Sequence, residues 1–262
     1  MPETVFHKPG APEAARTAGK VVDIGRVEQS RILAERRRMR TDSNRDLDFL
    51  LDEIREEVRA TRHLTGRPAL EERVMEALRQ VPRHEFVPDE LQYGAYANHP
   101  LPIGHGQTIS QPYIVALMTD LIHPRLDDVV LEIGTGSGYQ AAILSRLVKR
   151  VYSIEIVAEL AREAGERLQR LGYDNVEVRA GNGQLGWPQH APYDAILVAA
   201  AASRIPPALI EQLKPGGTLV IPVGAQHAAQ NLLVLRKTAS GRVEETNVLP
   251  VAFVPLTGTP ED

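Results

Sequence analysis

Residues 129–140 read Val-Val-Leu-Glu-Ile-Gly-Thr-Gly-Ser-Gly-Tyr-Gln, and this stretch decides the fold. The apolar run at 129–133 predicts a buried strand, and the alternating glycines after it predict a turn. Small and apolar residues then recur at helical spacing up to Val148, which predicts a helix. A strand, a glycine turn and a helix in this order bring backbone N–H groups close to a nucleotide-like ligand.

The composition narrows the class of protein. The 262 residues suffice for one α/β domain of ~200 residues with an appendage. The absence of cysteine excludes disulfides, thiolate zinc ligands and a thiol nucleophile. The net charge of −4 gives no electrostatic case for nucleic acid, and no apolar run approaches the ~20 residues that span a bilayer. The first residues also lack the pattern of a signal peptide. We therefore expect a cytoplasmic, monomeric protein without a nucleic-acid or membrane partner.

The sequence before the strand divides into a tail and two helices. Residues 1–45 form a predicted tail, flexible or partly helical, with arginines at 36–38 and 40. Those arginines could bind phosphate, but a charge run is more often a solvated helix face. Apolar spacing predicts one helix from Asp46 and a second from Pro68 to Gln80.

The segment that precedes the central strand is irregular at first. Residues 93–107 show no helical or strand period. A helix is predicted after it, with Ser110 as its N-cap and Pro112 in its first turn. Residues 46–128 are thus expected to hold the N-terminal helices and a substrate loop.

After the glycine turn, strands and helices alternate over residues 129–262, which predicts an α/β fold. We expect a doubly wound, mostly parallel seven-stranded sheet with helices on both faces. The predicted strands after the first are Val151–Ile154, Val176–Val178, Ala195–Val198 and Thr218–Val223, and the helices are Ala158–Leu171 and Pro206–Leu213. Two last strands, 232–235 and 243–248, predict a terminal antiparallel hairpin around Ser240-Gly241.

The glycine pattern separates two kinds of nucleotide ligand. Dinucleotide sites use Gly-x-Gly-x-x-Gly, but residue 139 is Tyr, and no Gly-Lys-Ser/Thr follows to make a P-loop. What remains, Glu132-x-Gly134-x-Gly136-x-Gly138, resembles the first motif of the S-adenosylmethionine-dependent methyltransferases. Glu155, ~20 residues further on, is expected to accept hydrogen bonds from the ribose hydroxyls rather than to be a solvated strand end. Asn182 could contact the adenine edge or simply form a turn, and spacing leaves both open.

Several further stretches resemble the protein-L-isoaspartate O-methyltransferase family. They include Val81–Pro88, Leu101–Gly104, Gly106–Pro112, Gly181–Trp187 and Phe253–Leu256, and the likeness extends over about residues 46–258. The resemblance implies repair of damaged protein: a methyl group moves from S-adenosylmethionine to the α-carboxylate of an L-isoaspartyl residue, leaving S-adenosylhomocysteine, with no metal. It implies Ser110 as the catalytic residue. The implied cofactor-binding residues are Gln107, Thr108, Ile109, Glu132, Gly134, Gly136, Ser137, Gly138, Glu155, Asn182, Gly183 and Thr257.

The methyl transfer that the resemblance implies needs no thiol nucleophile, which agrees with the absence of cysteine. A carboxylate has a pKa near ~4, so at neutral pH it is already the nucleophile and needs no general base. Three positions depart from the family pattern: Asn182 replaces a usual Asp, Ala199 a usual Thr, and Ala252 a frequent Arg. Two alternatives therefore stay open: a carboxyl methyltransferase for another protein or peptide acceptor, and a cofactor-binding module that has lost turnover.

Overall fold

The computed structural model describes residues 24–225 and 229–258, with side chains from residue 44 onward. The chain divides into two units, Met1–Asp42 and Ser43–Asp262. Helix α1 (Ile24–Thr65) begins well before the predicted start at Asp46. Residues 1–23 of the predicted tail, and the side chains of the arginine run, lie outside the described residues. The predicted tail boundary at residue 45 stays a prediction.

The two predicted helices of the N-terminal part are present. The apolar stripe predicted for this helix comprises Leu47, Leu50, Leu51, Ile54 and Val58; within the second unit, α1 buries the last four, and Leu47 is half-buried. Helix α2 (Glu72–Gln80) ends where predicted but begins later than Pro68. The backbone N–H of its N-cap residue, Glu71, donates to a side-chain oxygen of Asp120 at 2.7 Å.

The segment predicted to be irregular contains a hairpin, so that prediction was wrong. Strands β1 (Leu101–Gly104) and β2 (Gln107–Ile109) pair antiparallel, after short 3-10 helices at Arg83–Phe86 and Asp89–Gly94. Helix α3 (Pro112–Leu121) follows with Pro112 in its first turn, as predicted. Its N-cap is Gln111 and not Ser110, so the predicted capping role of Ser110 was also wrong.

The remaining elements form the predicted doubly wound sheet. In chain order they are β3 (Val129–Ile133), α4 (Tyr139–Ser145), β4 (Arg150–Glu155), α5 (Ala158–Arg170), β5 (Val176–Ala180), β6 (Tyr193–Val198), α6 (Pro207–Glu211), β7 (Leu213–Val223), β8 (Gln230–Lys237) and β9 (Val243–Val251). The seven strands lie in the order β5-β4-β3-β6-β7-β8-β9. The first five of these are parallel to one another, and β7, β8 and β9 pair antiparallel, which confirms the terminal hairpin.

The strand order creates the place for a ligand. The chain runs outward from β3 through β4 to β5, then crosses back to place β6 on the other side of β3. Connections that leave β3 and β6 in opposite directions open a crevice at the carboxyl ends of the strands. Alternate residues of β3 pack into two separate cores, Val130 on one face and Leu131 and Ile133 on the other. Among the described helices, none is both long enough and apolar enough to cross a membrane.

Candidate active site

The crevice contains two adjoining hollows that share one wall. The larger, about 520 Å³, contains the side chain of Glu155 and is called the Glu155 hollow. The smaller, about 330 Å³, lies beside Ser110 and is called the Ser110 hollow. Both are bounded by Thr108, Gly134, Gly136 and Ala199. The glycine turn and the β2 loop therefore separate the two hollows.

The Glu155 carboxylate holds the glycine turn from the neighbouring strand. Its Oε2 accepts the Gly136 N–H at 2.8 Å, and its Oε1 accepts the Val157 N–H at 3.0 Å. The residue is 5% exposed, yet it contributes to the hollow wall. Each carboxylate oxygen can accept two hydrogen bonds, so each keeps one acceptor position after its backbone contact. This leaves a paired acceptor of the kind that adjacent ribose hydroxyls need.

Two glycines are favoured for different reasons. A Cβ at Gly183 would lie 2.2 Å from Cγ2 of Ile133, whereas Gly138 has a φ of 89°, the left-handed region that side chains disfavour. Gly183 borders the Glu155 hollow, whereas Gly138 borders neither hollow and is the N-cap of α4. Of these two predicted cofactor-binding residues, the structure brings only Gly183 to the cleft.

Glu132 lies beneath the turn and not in the cleft. It is fully buried in β3, accepts a hydrogen bond from the Ser153 hydroxyl, and borders neither hollow. Ser153 in turn shares a hydrogen bond of 2.6 Å with the hydroxyl of Thr135 in the glycine turn. Burial raises the pKa of Glu132 to about 8, so the carboxyl group is mostly protonated at neutral pH. The structure thus places Glu132 as a support of the turn.

The loop at residues 107–110 contributes to both hollows. Gln107 and Thr108 border the Glu155 hollow, and Thr108, Ile109 and Ser110 border the Ser110 hollow together with Ser137. Gln140 borders the same hollow, and its amide donates to the Thr119 hydroxyl at 2.9 Å. Ser110 and residues 134–137 of the glycine turn therefore border one hollow.

Asn182 behaves as a turn residue in the structure. Its Oδ1 accepts the Gln184 N–H at 2.9 Å and caps the 3-10 helix Gly183–Leu185, and the residue is 7% exposed and borders neither hollow. Thr257 does border the Glu155 hollow. The backbone segment before Thr257 is held by two hydrogen bonds of 2.8 Å. The Ala201 N–H donates to the Val254 carbonyl oxygen, and the Leu256 N–H donates to the Ala201 carbonyl oxygen.

The structure adds site residues to which no role was assigned from sequence. Ile156, Ala200 and residues 254–256 border the Glu155 hollow, Gln140 borders the Ser110 hollow, and Arg83 donates to the Ser110 carbonyl oxygen at 2.9 Å. Gln140, Arg83 and residues 254–256 lie in stretches that resemble the family, and Ile156 and Ala200 follow predicted positions directly, but their contacts depend on segments far apart in the chain. Across residues 24–225 and 229–258, no cluster of three or more His, Asp or Glu side chains could hold a metal ion.

A sheet of this order, a glycine turn after β3 and an acid at the end of β4 define an S-adenosylmethionine-dependent methyltransferase of the doubly wound class. A sequence model of the protein-L-isoaspartate(D-aspartate) O-methyltransferase family matches residues 60–261. The chain belongs to this family.

Similar proteins agree with this assignment. Protein-L-isoaspartate O-methyltransferase 2 of a Polaromonas species is 61% identical over 209 residues, which are 80% of this chain and 99% of that protein. The protein of the same name from Syntrophobacter fumaroxidans is 58% identical over 80% of this chain and 85% of its own length.

Two solved structures share the fold. A protein-L-isoaspartate O-methyltransferase structure superposes with a TM-score of 0.70 at 26% identity, covering 81% of this chain and 66% of that one. A Plasmodium falciparum structure, described as a putative protein-L-isoaspartate O-methyltransferase in complex with S-adenosyl-L-homocysteine, gives a TM-score of 0.63 at 23% identity, covering 78% of this chain and 97% of that one. The likeness to the second structure supports the fold.

Proposed function

We propose that this protein is a repair methyltransferase that transfers a methyl group from S-adenosylmethionine to the α-carboxylate of L-isoaspartyl residues in damaged proteins and peptides. The family membership supports the reaction. The single structural observation that carries it is the shared wall of Thr108, Gly134, Gly136 and Ala199, which sets the hollow bordered by Glu155 beside a second hollow bordered by Ser110.

The Glu155 hollow suits S-adenosylmethionine in chemistry. It is an open hollow bordered by the glycine turn, the Glu155 carboxylate and the apolar side chains of Ile133, Ile154 and Leu256, which suits a ligand with both polar and apolar parts. The paired acceptor of Glu155 suits the ribose hydroxyls, and the glycine turn keeps side chains away from the ligand. When bound, S-adenosylmethionine supplies a sulfonium methyl group as the electrophile.

The Ser110 hollow suits the carboxylate that receives the methyl group. The Ser110 hydroxyl can donate one hydrogen bond to a carboxylate oxygen, which fixes the direction of the other oxygen. No general base is required, because a carboxylate with a pKa near ~4 is ionised at neutral pH. The contribution of the chain is to hold the acceptor in line and to exclude water, which can lower the barrier by several kcal/mol.

The remaining predicted site residues are of two kinds: those that border a hollow and those that hold the neighbouring turns in shape. We infer that Gln107, Thr108, Ile109, Ser137 and Thr257 help to enclose the reactants, since each borders a hollow. Glu132, Gly138 and Asn182 border neither hollow, and their hydrogen bonds and packing support a role in shaping the turns. A contact between Asn182 and adenine stays a prediction.

Among possible partners, the proposal names only the protein substrates. Isoaspartyl-containing proteins are the expected substrates, in keeping with the family. The net charge of −4 is in keeping with a protein that has no nucleic-acid partner. The monomeric state and the cytoplasmic location stay predictions.

The test uses labelled methyl donor and two peptides. Wild-type protein is incubated with S-adenosylmethionine labelled in the methyl group and with either an isoaspartyl peptide or its aspartyl twin. Base-labile label on the isoaspartyl peptide alone supports the proposal. Equal label on both peptides would support another carboxyl acceptor, and label on neither, with S-adenosylhomocysteine still bound, would support a module without turnover.

A further inference from the structure

Arg83 is a fully buried cation that the chemistry above does not use. It is 0% exposed, and two of its three guanidinium nitrogens, Nε and Nη2, donate to the backbone of two segments, whereas Nη1 is buried without a hydrogen-bond partner among the described residues. Nε donates to the Ala95 carbonyl oxygen at 2.9 Å, and Nη2 donates to the carbonyl oxygens of Ser110 at 2.9 Å and His99 at 3.4 Å. Among the described residues no carboxylate forms an ion pair with Arg83, so its partners are these carbonyl groups.

The same guanidinium group also contacts the helix that follows the glycine turn. Its central carbon lies 4.9 Å from the ring centroid of Tyr139, the first residue of α4. Tyr139 is itself buried and borders the Ser110 hollow. Burial raises the pKa of Tyr139 to about 12, so the phenol stays neutral at physiological pH. Arg83 therefore touches the loop that holds Ser110 and the helix beside the glycine turn at once.

Burial of a charge without a counter-ion costs free energy. Such a group is retained where its hydrogen bonds hold a functional part of the structure in place. Arginine suits this position because its planar guanidinium group carries five donors in fixed directions. Lysine has three donors on one atom and cannot reproduce the fixed separation at which Nε and Nη2 reach the carbonyl groups of Ala95 and Ser110. The contacts of Arg83 thus require arginine in particular.

We propose that Arg83 is a positioning residue that fixes the Ser110 backbone relative to the glycine turn, and so sets the acceptor carboxylate against the methyl donor. The inference rests on the proposed function of the cleft. Arg83 reaches the Ser110 side of the cleft and borders neither hollow. Its loss should therefore weaken use of the acceptor and leave binding of the cofactor product nearly unchanged.

The test compares Arg83→Met, Arg83→Lys and Arg146→Met with wild-type protein. Arg146 is the control for loss of an arginine–tyrosine contact away from the cleft, because its guanidinium carbon lies 4.6 Å from the Tyr173 ring centroid while the residue is exposed and borders neither hollow. Each variant is assayed for kcat and KM with an isoaspartyl peptide at saturating S-adenosylmethionine. The Kd for S-adenosylhomocysteine is measured by calorimetry, and thermal melting confirms that the assay temperature lies below unfolding.

We expect Arg83→Met to lower kcat/KM for the peptide about tenfold or more, with the Kd changed less than about threefold. Arg83→Lys should lie between, at about threefold or more, and Arg146→Met should stay within about twofold. Unchanged kcat/KM in a folded Arg83→Met protein would overturn the inference, and so would parallel loss of peptide turnover and product binding. If Arg83→Met does not fold, unchanged kcat/KM in Arg83→Lys overturns it instead. Wild-type protein without turnover would refute the proposed function itself.

Discussion

Gly183→Ala is the substitution whose effect the structure defines most closely. The new Cβ would lie 2.2 Å from Cγ2 of Ile133 and 3.5 Å from Cβ of Ile133. Ile133 is the last residue of β3 and is 1% exposed, so it cannot move away without disturbing the sheet core. The backbone at Gly183 does not require positive φ, because it is not among the residues with that geometry. The effect is therefore steric alone.

The size of the effect follows from overpacking. Forcing a methyl group into a filled core costs ~1–3 kcal/mol. In a domain of this size, 1 kcal/mol shifts the melting temperature by roughly 2–4 °C, so we expect a fall of about 2–12 °C. Because Gly183 also borders the Glu155 hollow, the affinity for S-adenosylhomocysteine should fall as well.

The assay is differential scanning calorimetry together with titration of S-adenosylhomocysteine. Gly94→Ala is the matched control, because a Cβ there meets no atom within 4 Å and the residue has no positive φ. It should leave both melting and binding nearly unchanged.

A double-mutant cycle identifies the clashing atom. Ile133→Val removes only Cδ1 and keeps the methyl group at the Cγ2 position, so it should not relieve Gly183→Ala. Ile133→Ala removes that methyl group, so the two substitutions should couple favourably by about 1–3 kcal/mol. A Gly183→Ala protein that melts and binds like wild type would refute the reasoning, and so would full relief by Ile133→Val.

Two further substitutions test the cleft, and a third tests the buried acid beneath it. Ser110→Ala should lower kcat/KM for an isoaspartyl peptide by about 10–150-fold, because it removes a hydrogen bond to a charged group. Its melting temperature should stay close to that of wild type, since Gln111 and not Ser110 is the N-cap. Glu155→Gln should weaken S-adenosylhomocysteine binding by about 5–150-fold in calorimetry, because the amide NH₂ must face one of two backbone N–H donors. Burial raises the pKa of Glu132 from 4.5 to about 8, so the folded state binds a proton more tightly and this group's stabilisation falls as pH rises between those values. Glu132→Gln, which imitates the protonated acid, should therefore melt with a weaker dependence on pH from pH 5 to pH 8.

Each of these predictions has an outcome that contradicts it. A parallel loss of turnover and product binding in Ser110→Ala would assign the hydroxyl a structural role. Wild-type binding in Glu155→Gln would remove Glu155 from the ribose site. A Glu132→Gln protein whose melting temperature falls with pH as steeply as that of wild type would show that other groups cause the dependence.

The part of the fold that the sequence predicted best is the part encoded locally. Residues 129–133 carry their own apolar run, and the glycines after them mark the turn, so β3 has the predicted bounds. The strand that ends on Glu155 was predicted because an acid recurs at a fixed distance in such folds, and the Glu155 carboxylate lies in the cleft.

The β1–β2 hairpin could not be predicted in the same way. Its strands have only four and three residues, and Pro102, Gly104 and Gly106 interrupt any alternation of apolar and polar residues. The N-cap assignment failed for a related reason, because Ser110 has a favourable side chain for a cap whereas the backbone places Gln111 there.

Arg83 illustrates what a sequence pattern cannot contain. Its partners are backbone carbonyl groups 12, 16 and 27 residues away, and a carbonyl group has no sequence signature. Asn182 is a residue for which spacing left a turn role and an adenine contact open; the structure shows the turn role, in which it accepts the N–H of Gln184, and the adenine contact stays a prediction. Resemblance to a family identifies the positions of such residues in the sequence, but their contacts are seen only in the folded structure.

The most direct test of the central claim is to follow repair itself. An isoaspartyl peptide is incubated with the protein at neutral pH, with or without S-adenosylmethionine, and the isoaspartyl and aspartyl forms are separated by chromatography over time. We expect the isoaspartyl form to decline and the aspartyl form to appear only when the methyl donor is present. An isoaspartyl peptide that remains unchanged in the presence of S-adenosylmethionine and folded protein would contradict it.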